Sequence, residues 1–171
     1  MTVPPGNGGG GSRLPDLGSR GEGWVVGQFV LLALVTLASL PDLATMAPQT
    51  PIRWVLLLIG CAELLIGGWA IARAFADLGR SLTPLPRPHA DAEMVERGIY
   101  RRIRHPIYAG LILAAIGWAT VSGSPPAFAA AVALGVFMDA KARREEAWLT
   151  DRYPGYAAYR TRTKRFLPGV Y

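Results

Sequence analysis

Long apolar blocks alternate with short polar segments along this chain. The four blocks cover approximately residues 24–40, 54–72, 107–121 and 126–138. About 20 apolar residues cross the hydrocarbon core of a bilayer, and shorter blocks can be lengthened by polar ends. The pattern therefore predicts an all-α integral membrane fold with about four transmembrane helices. Pro41 and Asp42 are expected to end the first helix, and the fourth is expected to continue past Asp139 to Glu146.

The polar segments give the expected organisation of the chain. Residues 1–23 are rich in glycine and proline, which predicts a disordered N-terminal tail. Residues 24–171 are then a single membrane domain. A polar connector with several prolines runs from Arg73 to Arg104, and a tight turn at 122–125 joins the third and fourth blocks into a helical hairpin.

Basic residues are distributed unevenly between these segments. Hydrophobic residues make up 51% of the chain and the net charge is +6, a balance typical of a membrane face rather than of a nucleic-acid-binding protein. The connector 73–104 holds seven arginines and the segment from Lys141 holds eight basic residues, whereas the other two loops hold one and none. The positive-inside rule places both rich segments and both termini in the cytoplasm, and we expect the cell inner membrane as location.

A dense polar group stands at the start of the third block. Arg104 and His105 precede Pro106, and proline suits the first position of a helix. A helix N-terminus favours an anionic group, so this stretch is a candidate binding site at the membrane surface. The charge-based topology brings it to the same membrane face as Glu145 and Glu146.

Two motifs resemble those of the isoprenylcysteine carboxyl methyltransferase and phospholipid methyltransferase family. The first is Gly98-Ile99-Tyr100 followed by Arg104-His105-Pro106-Ile107-Tyr108-Ala109-Gly110. The second is Glu145-Glu146 followed by Leu149, Tyr153-Pro154-Gly155, Tyr156, Tyr159 and Arg165-Phe166-Leu167-Pro168. The resemblance covers roughly Leu78 to Pro168, with both motifs in the family's order.

The resemblance implies transfer of a methyl group from S-adenosyl-L-methionine to a lipophilic acceptor, a lipid or a lipophilic small molecule, at the cytoplasmic membrane face. The cofactor would be held by helix ends and cytoplasmic caps. The residues that match the family's cofactor contacts, or that could meet the cofactor's charged groups, are Met94, Val95, Tyr100, Arg104, His105, Pro106, Ile107, Tyr108 and Glu145.

The resemblance also indicates residues near the acceptor. The family has a substrate-binding arginine four residues before Glu145, where this chain has Lys141; lysine keeps the charge but loses the bidentate geometry. Arg143 or Arg144 could compensate, and Glu146 could accept a proton from an amine acceptor. Ile99 in place of the usual proline and the inserted Pro154 are further departures.

Other functions remain open from the sequence. A non-enzymatic four-helix membrane protein, acting as a scaffold or binding lipid, is one alternative. A nicotinamide-dependent reductase is another, although the related sterol reductases have many more spans. No dinucleotide-binding fingerprint is present, and two distant histidines and one cysteine make a metal site improbable.

Two features inside the spans admit two interpretations each. Glu63 in the second block either contacts substrate or cofactor, or is a packing residue. Small residues of the third block (Ala109, Gly110, Ala114 and Gly117) either line a groove for the acceptor's apolar tail or pack against the fourth block.

Overall fold

A computed structural model of the chain describes residues 15, 17–18, 21–43, 50–81 and 94–171. The helices are α1 (Glu22–Leu43), α2 (Pro51–Leu78), α3 (Pro106–Ser122), α4 (Pro125–Arg152) and the short α5 (Tyr156–Arg162), with 3₁₀ turns at Gly79–Ser81 and Gly98–Arg101. The all-α prediction is confirmed. Most of the predicted tail, and the prolines of the connector at 84, 86 and 88, lie outside the described residues.

The structure extends the first two predicted helices. α1 runs through Pro41 to Leu43, so the prediction that Pro41 ends the helix is wrong. A proline in the last turn removes only one intrahelical hydrogen bond, which the helix tolerates. α2 continues beyond Ala72 into the predicted connector, where Arg73 forms an ion pair with Asp77 at 2.9 Å.

Two of these helices are long and apolar enough to cross a membrane. They are Glu22–Asp42 and Pro51–Leu78, and only 17% of the most apolar window of each is buried inside the protein. Large apolar side chains such as Phe29, Leu58 and Trp69 are instead exposed. Core helices of soluble proteins bury such residues, so these faces fit contact with lipid. α3 is a shorter apolar helix, and the fourth predicted span, 126–138, forms the first half of α4, which begins one residue earlier at Pro125.

The helices pack as two antiparallel pairs, α1 with α4 and α2 with α3. Ser124, the N-cap of α4, donates a hydrogen bond to the Ala38 carbonyl near the end of α1, at 3.0 Å. At the opposite end of the same pair, Gln28 of α1 meets Lys141 of α4. The end of α2, the start of α3 and the polar half of α4 consequently lie at one end of the bundle, which we call the motif end.

Glycines set the close approach of α2 and α3. A Cβ atom at Gly67 would lie 2.7 Å from the Gly110 carbonyl oxygen, and one at Gly60 would lie 2.7 Å from that of Gly117. Ala114 also contacts α2 beside Gly67. Gly110, Ala114 and Gly117 of α3 thus pack against α2, so for these three residues both sequence-based interpretations, the tail groove and the contact with the fourth span, are wrong. Helix periodicity identifies a face but not the element that covers it.

Adding a methyl group at this contact tests its importance. We expect Gly67→Ala to destabilise the protein by about 1–3 kcal/mol, because the new atom would meet backbone that cannot move independently. Gly68→Ala is the matched control, since a Cβ there has no atom within 4 Å. Thermal unfolding in detergent should show a lower Tm for Gly67→Ala alone. Equal effects of the two substitutions would contradict the close-packed contact.

Candidate functional site

Backbone pairing joins the first motif to the C-terminal segment. The Arg104 N–H donates to the Lys164 carbonyl at 2.8 Å, and the His105 N–H donates to the Arg165 carbonyl at 3.1 Å. The Lys164 N–H returns a bond to the Arg102 carbonyl at 3.1 Å, which makes a single parallel bridge. These bonds satisfy backbone groups just before α3 begins at Pro106. They place the end of the second motif directly beside the first.

A buried carboxylate at Glu146 forms the centre of this junction. Its Oε1 accepts hydrogen bonds from Arg104 Nε at 2.9 Å and Arg165 Nε at 3.2 Å, and His105 Nε2 lies 3.3 Å away. Its Oε2 accepts from Arg165 Nη2 at 3.1 Å. The Glu146 side chain is 3% exposed. We call Glu146, Arg104, His105 and Arg165 the Glu146 cluster.

The charge state of Glu146 follows from these contacts. Burial by itself would raise the pKa of this carboxyl, but hydrogen bonds from His105 and Arg165, with Arg104 close by, hold the pKa far below its usual range. Glu146 is therefore ionised at every physiological pH and is a weak proton acceptor. The chain itself thus supplies an anion to the side chains of Arg104 and His105, which precede α3.

A second group of side chains lies on the other side of His105. The Tyr108 hydroxyl donates to Glu145 Oε2 at 2.7 Å, and the His105 and Tyr108 rings stack with centroids 5.2 Å apart. His105 Nδ1 is 3.7 Å from the same Glu145 oxygen. The Glu145 side chain is 22% exposed, so this carboxylate is accessible in a way that Glu146 is not.

Lys141 completes this group. Its ammonium is buried, donates to Gln28 Oε1 at 2.6 Å and lies 4.9 Å from the centre of the Tyr108 ring. Burial lowers the pKa of Lys141 to about 8, against the opposing attraction of Glu145. We call His105, Tyr108, Lys141 and Glu145 the Tyr108 cluster. Gln28 was not foreseen, because a polar residue within an apolar helix does not reveal its partner.

The glycine of the first motif is explained by Asp77. Gly98 has a positive φ of 57°, and a Cβ there would lie 2.0 Å from the Asp77 carboxylate, so both conformation and space favour glycine. Asp77 accepts a hydrogen bond from the Ile99 N–H at 2.8 Å. Sequence reasoning missed Asp77, since its i,i+4 spacing to Arg73 is typical of a solvated helix face.

The other predicted site residues lie around these two clusters. Tyr100 is buried, and burial together with nearby Glu145 raises the pKa of its hydroxyl. Pro106 is fully buried at the start of α3, while Ile107, Met94 and Val95 are half-buried. The Met94 methyl lies 3.8 Å from the position a Cβ would take at Gly155. Arg144 stacks over the Trp148 ring at 4.5 Å, within α4.

Tyr156 of the second motif lies at the start of α5. Its ring is buried, and its hydroxyl has no hydrogen-bond partner among the residues that the structure describes. The nearby carboxylates of Glu146 and Glu145 add to burial in raising the pKa of this hydroxyl. A buried hydroxyl without a partner is costly, which makes it a candidate for contact with a ligand.

Comparison with known proteins identifies the family. A model of the phospholipid methyltransferase family matches residues 55–155, more than half of the chain. The chain belongs to the phospholipid methyltransferase family. This confirms the resemblance seen in the two motifs. The matched segment contains nearly all of α2, all of α3 and α4, and both clusters except Arg165.

Two relatives carry a related name. The chain is 30% identical over 93 residues to proteins named "Probable protein-S-isoprenylcysteine O-methyltransferase" from Oryza sativa subsp. indica and subsp. japonica. Each alignment covers 53% of this chain and 48% of the relative. The chain thus spans about half the length of these relatives. In this family member, Gln28 and Arg165 approach the site from outside the segment that the family model matches.

The two adjacent glutamates should respond differently to loss of charge. We expect Glu146→Gln to destabilise the protein by about 3 kcal/mol or more, because it leaves Arg104 buried without a counter-charge and Arg165 with Asp139 alone. Glu145→Gln, the matched control, should cost no more than about 1 kcal/mol, since an amide oxygen can still accept from Tyr108. Thermal unfolding in detergent compares the two. A Glu145→Gln variant as unstable as Glu146→Gln would contradict the assignment.

Proposed function

We propose that this protein is an integral membrane methyltransferase that transfers a methyl group from S-adenosyl-L-methionine to a lipophilic acceptor at the cytoplasmic membrane face. The observation that carries the proposal is the hydrogen bond between Tyr108 and Glu145 beside His105. It unites the two family motifs in one partly exposed polar site at the motif end of the bundle. Family membership supports the reaction class, and the basic segments at this end support the cytoplasmic orientation.

The side chains present suit S-adenosylmethionine. That molecule offers hydrogen-bond donors in its ammonium group and ribose hydroxyls, and an acceptor in its carboxylate. Glu145 is a partly exposed carboxylate that can take the donors, whereas the oxygens of Glu146 are already occupied by arginine. The Tyr156 hydroxyl is a buried group without a hydrogen-bond partner in the part of the chain that the structure describes, and it could donate to the cofactor's carboxylate. The site therefore offers an acceptor for the cofactor's donor groups and a donor for its carboxylate.

The cofactor, when bound, supplies an electrophilic methyl group on a sulfonium centre. The contribution of the chain is chiefly positioning and the exclusion of water. Glu146 keeps Arg104 and His105 in place, Pro106 starts the helix that carries Tyr108, and Tyr108 orients Glu145. We assign Met94, Val95, Tyr100 and Ile107 to the surrounding wall.

Lys141 is the group we assign to the acceptor. It stands at the position of the family's substrate-binding arginine and faces the Tyr108–Glu145 pair from the same helix as Glu145. Arg144, one turn further along α4, would support it. Glu146 as a proton acceptor for an amine stays a prediction, and its strong ion pairing favours a positioning role instead.

The acceptor is expected to arrive from the bilayer. The apolar outer faces of α1 and α2 fit lipid contact, whereas the described polar residues concentrate at the motif end. A lipophilic molecule can therefore keep its tail in the membrane while its head reaches the level of Lys141. The small-residue face of α3 does not serve as the route, because α2 covers it.

Cofactor binding is the direct test of this proposal. We expect S-adenosylhomocysteine to raise the Tm of the detergent-solubilised protein, because a ligand that binds only the folded state stabilises it. Glu145→Gln should weaken that binding about tenfold, since it removes charge-assisted hydrogen bonds. Titration calorimetry measures both affinities.

The controls separate the competing functions. Stabilisation by NADPH in place of S-adenosylhomocysteine would indicate the reductase, and stabilisation by neither would favour a non-enzymatic protein. A membrane lipid extract incubated with methyl-labelled S-adenosylmethionine then reveals the acceptor. Absence of labelled product from a protein that binds S-adenosylhomocysteine would contradict lipid methylation.

The protonation of Lys141 gives a pH-dependent prediction. Since its pKa is lowered to about 8, the ammonium is charged at pH 7 and largely neutral at pH 9. The groups facing it are Gln28, Tyr108 and Glu145. If the Lys141 ammonium binds the acceptor, the KM for the acceptor should rise several-fold from pH 7 to pH 9. Lys141→Arg, which stays charged, should abolish the rise while KM for the cofactor is unchanged. If the acceptor KM of the Lys141→Arg variant rises with pH by the same factor, the titration of Lys141 is not the cause.

A further inference from the structure

A basic pocket adjoins the Glu146 cluster, of which Arg104 and Arg165 belong to its lining. It has a volume of about 220 Å³, and its lining also includes Arg160, Lys164, Val170 and Tyr171. None of its lining residues belongs to the Tyr108 cluster. Arg104, one of the predicted cofactor-binding residues, lines it, but Arg104 is bound to Glu146, and we place the cofactor and acceptor at the Tyr108 cluster instead.

The charges around this pocket are not balanced by the described carboxylates. Its four cationic side chains meet two acidic groups, Glu146 and Asp139, and the pKa of each is lowered by those contacts. The Arg160 Nε atom is 3.6 Å from Glu146 Oε2, which is too long for a hydrogen bond, and the Arg160 side chain is 46% exposed. Lys164 is exposed and forms no ion pair with any residue that the structure describes. Arg160 and Lys164 therefore retain donors for an external anion.

The pocket lies at the expected depth of lipid headgroups. Asp139 is the first charged residue of α4 after the apolar half that ends at Met138, so it marks the boundary of the hydrocarbon core. Arg165 contacts Asp139 at 2.8 Å, which fixes the pocket at this boundary. The exposed apolar side chains of Leu167 and Val170 lie next to it and can enter the interface.

We propose that this pocket binds the phosphate group of an anionic ligand, with Arg160 and Lys164 as the donors that remain available to it. Basic pockets at the cytoplasmic end of membrane helices commonly hold anionic lipid headgroups. Guanidinium and ammonium groups together suit a phosphate, which accepts several charge-assisted hydrogen bonds. The same chemistry could be presented by a membrane phospholipid or by a soluble phosphate, and the experiment separates the two.

Binding is measured on the full chain in detergent micelles, without any assay of methyl transfer. The probes are phosphatidylglycerol and inorganic phosphate, with zwitterionic phosphatidylcholine for comparison. We expect the double variant Arg160→Gln with Lys164→Gln to bind the anionic probe at least about tenfold more weakly than the unmodified protein. Arg101→Gln with Arg102→Gln is the matched control, since it removes the same charge from exposed positions at the same end, outside the pocket.

Each outcome has a defined meaning. If only the Arg160→Gln, Lys164→Gln variant loses affinity for the probe, the result supports the site. Tighter binding of phosphatidylglycerol then identifies a lipid ligand, and tighter binding of inorganic phosphate identifies a soluble one. If both double variants lose the same affinity for the anionic probe, the binding depends on general surface charge and the proposal is overturned. Binding of neither probe, or displacement of the probe by S-adenosylhomocysteine, would also overturn it. Circular dichroism verifies that the exposed substitutions leave the helices intact.

Discussion

The buried carboxylate of Glu146 is the interaction on which the motif end depends. It brings together Arg104 and His105 from before α3 and Arg165 from the C-terminal segment, at positions where these side chains are almost fully withdrawn from solvent. Removing an ion from water is expensive, so Arg104 depends on this anion for its burial, while Arg165 shares it with Asp139. One ion-paired carboxylate thereby joins segments that are distant in the sequence. The backbone hydrogen bonds between residues 102–105 and 164–165 form beside it.

Adjacent glutamates can have different roles because consecutive residues on a helix point about 100° apart. Glu146 faces the arginines and is fully occupied, whereas Glu145 faces Tyr108 and remains partly exposed. His105 lies between the two carboxylates and links the clusters. The structural anchor and the proposed ligand-binding group are thus neighbours in sequence, and rotation along α4 separates their environments. Arg104 and Arg165, which bind the anchor, also line the basic pocket.

Close packing of α2 on α3 positions the first motif. The glycine contacts allow the two backbones to approach until carbonyl oxygens occupy the space of a side chain, which leaves little freedom for one helix to slide along the other. Asp77 at the end of α2 therefore arrives beside Gly98 and holds the Ile99 N–H. Gly98 and the glycines at the α2–α3 contact therefore act together. They position the turn that leads to Tyr100.

Local sequence patterns are sufficient to predict the helical fold, the starts of α3 and α4, the continuation of α4 to the glutamate pair and the family. These properties depend on local hydropathy, proline chemistry and motif order. The same patterns could not show that Pro41 remains helical, that α2 covers Gly110 and Gly117, or that Gln28 and Asp77 belong to the site. Those features were decided by tertiary structure, because a residue's helical face is a local property whereas the partner that meets it comes from a distant segment.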